Sequence, residues 1–395
     1  MNKLFLFLAV ILSSLSASAI RPAGQSFARI TILTCTPGPD LYSVFGHTAI
    51  RVEDNFGGEQ IDWVYNYGTF EFSDDFYWKF AQGKLDYKLS KSDFGFFQEE
   101  YIYTGRGIYE QELMLSPEDK FKLIELLEEN YKPENRVYRY DFFYDNCSSR
   151  VRDIIVKASG KPTAFSYVYA RPYTFRQAIQ NYLNYMPWSD FGIDLALGMP
   201  CDRLMDKGQA MFLPDSLLNE FNYATYGEGP IAAKSQELLP YEFELRDSTV
   251  FTPMVVFGLF LIVQMIWGFV RLRNGRSVAI TDRVLLFTTG LIGVMVVFLW
   301  FFTDHSATKW NLNILWANPL MLYLAFARMD KKWIKTYWKI QGGICVLLVV
   351  GWFFLPQRLH LATLPMVLGL LFISLRQVRP QFFVSNRGKQ GRAVA

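Results

Sequence analysis

The stretch Tyr144–Ile155, YDNCSSRVRDII, decides how the first half of this chain folds. Asp145 and Asn146 are both suited to cap a helix, and Val151, Ile154, Ile155 and Ala158 recur on one helical stripe. Cys147 lies four residues before Val151 on that stripe, so the spacing predicts a helix with an inward-facing thiol in its first turn. A thiol there sits at the positive end of the helix dipole, which favours thiolate. The backbone N–H groups of the same turn, around Asn146 and Ser148, are free to hold an oxyanion. The simpler alternative is a buried cysteine that only fills a small apolar space.

A thiolate nucleophile needs a proton carrier that titrates near neutral pH, and imidazole is the usual choice. His47 is the one histidine ahead of residue 251, at the start of a strand-like run after the turn-rich GPDLYSVFG. Such a base is generally oriented by a third group. In the following run, IDWVYNYGTF, Asp62, Val64 and Asn66 share one face by strand alternation. Asn66 is the preferred acceptor for the ring N–H, with Asp62 in reserve.

The chain has 395 residues, of which 51% are hydrophobic and 17% aromatic, enough for two or more folded units and for membrane segments. Residues 1–19 read as a secretory signal: Lys3, a short apolar core and Ala17-Ser18-Ala19 as the cleavage site. An uncleaved anchor is the alternative, and either way residues 20–250 form an exported domain. Of its three cysteines one must stay unpaired, which leaves Cys147 free and allows Cys35 to pair with Cys201. Residues 251–378 carry five apolar stretches, each near the length of a membrane-crossing helix, and 379–395 form a basic tail. Arg271, Arg273, Arg276 and Arg283 share one loop and Arg328, Lys331, Lys332, Lys335 and Lys339 another, whereas the opposite loops hold only Lys309 and Arg358. The positive-inside rule puts the basic loops and tail in the cytoplasm and residues 20–250 outside.

The exported part reads as α+β. Strand runs are expected at Arg29–Thr34, His47–Glu53, Ile61–Tyr67 and Arg136–Phe142, with helices starting at Ser116, Cys147, Thr174 and Pro214. MFLPDSL at Met211–Leu217 suits either a helix on the bilayer or a core helix. In the membrane half, Asp304, His305, Asn311 and Asn313 fall in or beside one outer loop, where polar groups are costly unless they serve a substrate. A plain interfacial loop is the alternative. The net charge of +3 is too small to argue for nucleic acid. No HExxH, paired CxxC, glycine-rich phosphate loop or GxSxG elbow occurs, so no metal or cofactor is expected.

GHTAIRV, VYNYGTF and YDNCSSRVRDI resemble the Lnb N-terminal periplasmic domain family, and more distantly circularly permuted papain-like proteins such as lecithin:retinol acyltransferase and NlpC-type amidases. The run TDHSATKWNLNILWANPL is similar to the membrane half of Lnb, a bacterial lipoprotein N-acyltransferase. The resemblance implies a permuted papain-like domain on a five-helix membrane unit of the inner membrane. It also implies acyl transfer from a phospholipid through a Cys147 thioester to the N-terminal amine of a diacylglyceryl lipoprotein. Two other readings stay open: a membrane-tethered NlpC-type peptidoglycan amidase or endopeptidase, and a non-enzymatic membrane scaffold.

Overall fold

Alternating apolar residues build the exported half around an antiparallel sheet. A computed structural model describes residues 23–378 apart from 57–58, 71–73, 85, 167–172, 243–248 and 275–278. The expected signal segment at 1–19 and the basic tail at 379–395 therefore lie outside the described residues, as does Arg276. The sheet comprises β1 (Arg29–Cys35), β2 (His47–Phe56), β3 (Glu59–Thr69), β4 (Asp86–Asp93), β5 (Ile108–Glu112), β6 (Val137–Arg139) and, after a small sheet of β7 (Thr163–Ala164), β8 (Thr225–Tyr226) and β9 (Gly229–Pro230), the late strand β10 (Gln236–Leu239). The order is β10–β5–β1–β2–β3–β4–β6.

Helix α1 (Phe76–Ala81) sits in the β3–β4 connection, and α2 (Phe94–Thr104) covers Leu33, Cys35, Ala49 and Val64 on one sheet face. The opposite face, with Ile30, Ile32, Ile50, Val52, Tyr65 and Tyr67, packs against α3 (Pro117–Tyr131) and α4 (Cys147–Ala158). The stripe read from the sequence is the buried side of α4: Cys147, Val151, Ile154, Ile155 and Ala158 all lie in this core. Ser116 caps α3, its hydroxyl accepting from Asp119 N at 3.2 Å.

The expected strand at Arg136–Phe142 is shorter, because after Arg139 the chain must turn into α4. Asp141 and Asp145 exchange backbone hydrogen bonds of 3.1 and 2.9 Å across that turn. β4 escaped the sequence reading because only Leu89 of DYKLSKSD is buried, which leaves little alternation to see.

A helical extension follows: α5 (Phe175–Leu183), α6 (Pro187–Ala196), α7 (Lys207–Ala210) and α8 (Pro214–Phe221). Thr174 caps α5 through a capping box. Met211, Phe212, Leu213 and Leu217 are buried, so MFLPDSL belongs to the core and not to a bilayer surface. The extension closes on fully buried Arg176, whose Nη1 donates to Asp194 Oδ1 at 2.8 Å and whose Nε donates to Asp202 Oδ1 at 3.0 Å. The expected Cys35–Cys201 disulfide is not made. Both thiols are free, Cys35 packing beneath α2 and Cys201 among Phe175 and Phe212, two separate apolar clusters.

In the membrane half, α9 (Pro253–Arg273), α10 (Ile280–Phe301) and the segment Leu361–Val378 are long and apolar enough to cross a membrane by length and composition. Between them lie α11 (Leu320–Leu324), within the shorter apolar run Leu312–Leu324, and α12 (Lys332–Val350), followed by α13 (Leu364–Val378). Side chains at Gly290 and Gly293 would collide with Leu322 and Asn318, so these glycines let α10 and the Leu312–Leu324 run approach closely. Near the basic ends of the spans, buried Asp282 on α10 pairs with Arg376 on α13 and accepts from Gln264 Nε2 on α9 at 3.2 Å, so its charge has a partner that lipid could not supply.

The two halves meet at the loops expected on the outer side. Gly198 N donates to Ala307 O at 2.8 Å, Gln357 Nε2 to Leu197 O at 3.0 Å, and His360 Nε2 lies 3.3 Å from Asp190 Oδ2. The apposition of loops 303–313 and 356–360 with the exported domain agrees with the orientation read from the charges.

Replacing Arg176 by alanine leaves Asp194 and Asp202 buried without their cation, and is expected to destabilise the exported domain by about 3–5 kcal/mol. Denaturant midpoints of the full-length protein in detergent check this. Arg176→Lys, which keeps the charge and loses the planar fork, is expected to fall between wild type and alanine.

Candidate active site

The site forms where β2 begins and α4 begins. Gly46 adopts φ +77°, and a Cβ there would lie 2.7 Å from Cys35 O, so only glycine lets the chain turn sharply beside the end of β1. His47 then opens β2, paired in register with Cys35. Strand alternation carries Thr48 to the opposite face, where its Oγ1 lies 2.9 Å from Ser148 Oγ. Because His47 precedes Thr48 and Cys147 precedes Ser148, this one bond brings imidazole and thiol together.

Asn146 is the helix cap. Its Oδ1 accepts from Ser149 N at 2.9 Å, Ser149 Oγ accepts from Asn146 N at 2.8 Å, and its Nδ2 donates to Phe142 O and Phe212 O, each at 2.8 Å. With both ends of the amide occupied, Asn146 shapes the turn and has no donor left for an oxyanion. Ser148 Oγ lies between Thr48 Oγ1 and Cys147 Sγ, at 2.9 and 3.9 Å, which leaves the first-turn backbone N–H groups as the oxyanion donors to consider. Asp145 holds Arg150 through two hydrogen bonds of 2.6 and 2.7 Å.

His47 Nε2 donates to Asn66 Oδ1 at 2.6 Å. Asp62, the reserve candidate, is engaged elsewhere: Arg51 grips both its oxygens at 2.7 and 2.8 Å. Cys147 is 8% exposed and close enough to His47 for the two groups to shift each other's titration. Burial works against charge on both groups, but their mutual attraction outweighs it, helped by the Thr48 backbone and Ser148 on the sulfur and by Asn66 on the ring. The Cys147 thiol is thus held below the ordinary thiol range and His47 above the ordinary imidazole range. Cys35 and Cys201 behave oppositely, burial pushing each up to about 12. Of the three cysteines in the exported domain, Cys147 alone has a lowered pKa, and it lies beside the histidine that lowers it.

The membrane-side candidates divide. Asn311 and Asn313 are buried and their amides are committed. Asn311 Nδ2 donates to Leu195 O at 2.8 Å and its Oδ1 accepts from Gln357, while Asn313 Oδ1 accepts from Trp316 Nε1 at 2.9 Å. They fasten α6 to the membrane half. Asp304 and His305 contact the α1 region: Asp304 N donates to Gln82 O at 2.9 Å and His305 Nε2 to Phe80 O at 3.0 Å. Beside them Ser306 Oγ donates to Asp141 Oδ2 at 2.8 Å, a link from the membrane loop to the turn before Cys147 that the sequence did not reveal. Thr48 was also missed, although its place after His47 on an alternating strand was the available signal. Two surface clefts, of about 280 Å³ beside Tyr173 and Tyr182 and of about 410 Å³ beside Arg29 and Glu53, are lined by neither Cys147 nor His47.

Because the Cys147 pKa is lowered, its thiolate persists below the pH at which ordinary thiols protonate. Alkylation by iodoacetamide, followed by intact mass against pH, is expected to show a midpoint below that of a free thiol. His47→Gln removes the attraction and leaves the burial, so the midpoint is expected to move upward past that of a free thiol.

Comparison with known proteins places both halves. The profile of the Lnb N-terminal periplasmic domain matches residues 25–181, and that of the Lnb transmembrane domain matches residues 245–381. No curated protein and no solved structure matches the chain. With both of that family's domains in one polypeptide, the chain belongs to the Lnb family.

Proposed function

We propose that this protein is a thiol-dependent N-acyltransferase that moves a fatty acyl chain from a phospholipid to the N-terminal amine of a diacylglyceryl lipoprotein. The observation that carries the reading is the Cys147–His47 pair on a domain seated against the outer loops of a membrane unit. Family membership supports a lipoprotein-modifying enzyme of the membrane. In this reading the exported domain is papain-like in permuted order, with the histidine strand ahead of the cysteine helix. The run Leu312–Leu324 and α12 add two crossings to the three apolar spans, making five in the bacterial inner membrane.

The reaction runs in two steps. The Cys147 thiolate attacks the ester carbonyl carbon, and the first-turn N–H groups receive the developing oxyanion. The carbon–oxygen bond breaks, His47 gives its proton to the departing lysophospholipid oxygen, and the acyl group remains as a thioester. The acceptor amine then attacks the thioester carbonyl, neutral His47 takes a proton from the nitrogen, and the carbon–sulfur bond breaks. Amide product and thiolate result. Asn66 accepts the Nε2 proton and keeps Nδ1 for this exchange. A membrane unit suits the task because donor and acceptor both reside in the outer leaflet.

Intact-mass measurement of detergent-purified protein after incubation with phospholipid tests the first step. Wild type is expected to gain a hydroxylamine-labile fatty-acyl mass and to release lysophospholipid, while Cys147→Ser gains none. His47→Ala is expected to slow acylation by about 10²–10⁴-fold. Absence of adduct and lysolipid from folded wild type, with cleavage of peptidoglycan peptides instead, would turn the assignment to an amidase. No dependence of any activity on Cys147 would leave a scaffold.

A further inference from the structure

Between α1 and the thiol lies a continuous row of aromatic rings that the chemistry above does not use. On α1, Trp78 and Phe80 are 59% and 55% exposed, unusual for rings of this size. Yet Trp78 stacks on Phe298 of the membrane span α10 at 6.1 Å between ring centroids, and Phe80 lies 6.4 Å from His305 at the outer end of that span. Phe301 and Phe302, where the span ends, are themselves 65% and 67% exposed. The exposed face of α1 is therefore continuous with the lipid-facing surface of a membrane helix, at the depth where aromatic side chains prefer the bilayer interface.

From α1 the row runs inward. Phe76 stacks parallel to Phe80 at 6.3 Å, Phe70 lies 5.3 Å from Phe76 and 5.3 Å from Tyr87, and Tyr87 stacks on Tyr140 at 4.1 Å. The Tyr140 ring reaches Gly68, where a Cβ would lie 3.9 Å from Tyr140 Cε2 and 3.7 Å from Cys147 Cβ. Gly68 thus presents bare backbone between the last ring and the nucleophile.

We propose that this row is the path along which one acyl chain of an outer-leaflet phospholipid reaches Cys147. The inference rests on the acyl-carrier reading of Cys147 and names the route and the recognised group. A thiol that is 8% exposed must receive its donor by a narrow approach, and Cys147 lines neither of the clefts of about 280 and 410 Å³. An extended hydrocarbon chain is thin, uncharged and matched to ring faces. With its chain along the row, a lipid brings its ester carbonyl to the sulfur while its head group stays at the outer loop.

Two readouts on the full-length protein in phosphatidylcholine vesicles test this. In the first, lipids brominated on the acyl chains quench tryptophan fluorescence, and wild type is expected to lose more intensity than Trp78→Phe. In the second, acylation of Cys147 is followed from phosphatidylcholine and from water-soluble p-nitrophenyl acetate. Trp78→Ser combined with Phe80→Ser, and separately Tyr87→Ser, are expected to slow the phospholipid reaction about tenfold or more and to leave the soluble-ester reaction unchanged, which also reports an intact fold. Equal slowing with both donors, no slowing with either, or equal quenching in wild type and Trp78→Phe overturns the path. Wild type that accepts acetyl from the soluble ester but nothing from phospholipid overturns the lipid-donor reading itself.

Discussion

The candidate site is held together by the hydrogen bond between the Thr48 and Ser148 hydroxyls. Both residues are buried. They directly follow His47 and Cys147, so the bond holds the start of β2 against the start of α4. Burial makes the contact demanding, since a hydroxyl enclosed without a partner costs free energy. The same burial leaves little water to screen the attraction between the neighbouring imidazole and thiol, which raises the one pKa and lowers the other. Fixing the helix end also brings its dipole and first-turn N–H groups to the point where an oxyanion would develop.

Behind that bond stand two layers of positioning. Asn146 uses its whole side chain to close the turn before the helix, reaching Ser149, Phe142 and Phe212. Asp141 folds the same turn by accepting from Phe143 N and Tyr144 N, at 3.0 and 3.2 Å, while its other oxygen takes the Ser306 hydroxyl. The membrane half therefore reaches within a few residues of the nucleophile through a single loop. Asn311, Asn313 and Gln357 fix the neighbouring helical extension to the same surface. Polar residues that look like substrate ligands in the sequence are here the fasteners of two folded halves, because a buried interface between loops must satisfy its own backbone carbonyls.

Periodicity and composition made much of this legible. The helix at Cys147 and its buried stripe, the caps at Ser116 and Thr174, the strands on either side of His47 and the sidedness of the membrane segments all follow from local patterns along the chain. Local patterns are weakest where a strand is mostly polar, as in β4, or where aromatic residues crowd a short helix, as in α1 and α2. Pairing the sole exported histidine with Cys147 was a chemical inference, open to the sequence because few residue types can serve a thiolate.

What the chain decided by itself were most of the elements and the candidate site residues His47 and Cys147, since both depend on residue type and spacing. Which partner each group meets was decided by the tertiary structure. Asp62 and Asn66 are equivalent by alternation, but the register of β2 against β3 gives Asp62 to Arg51 and Asn66 to His47. Cysteine counting allowed Cys35 to pair with Cys201, yet packing puts them in different apolar clusters. The aromatic row from α1 to Cys147 exists only because β3, β4 and the turn before α4 converge. A contact between residues distant in sequence is set by how sheets and helices close upon one another, and no local pattern encodes that closure.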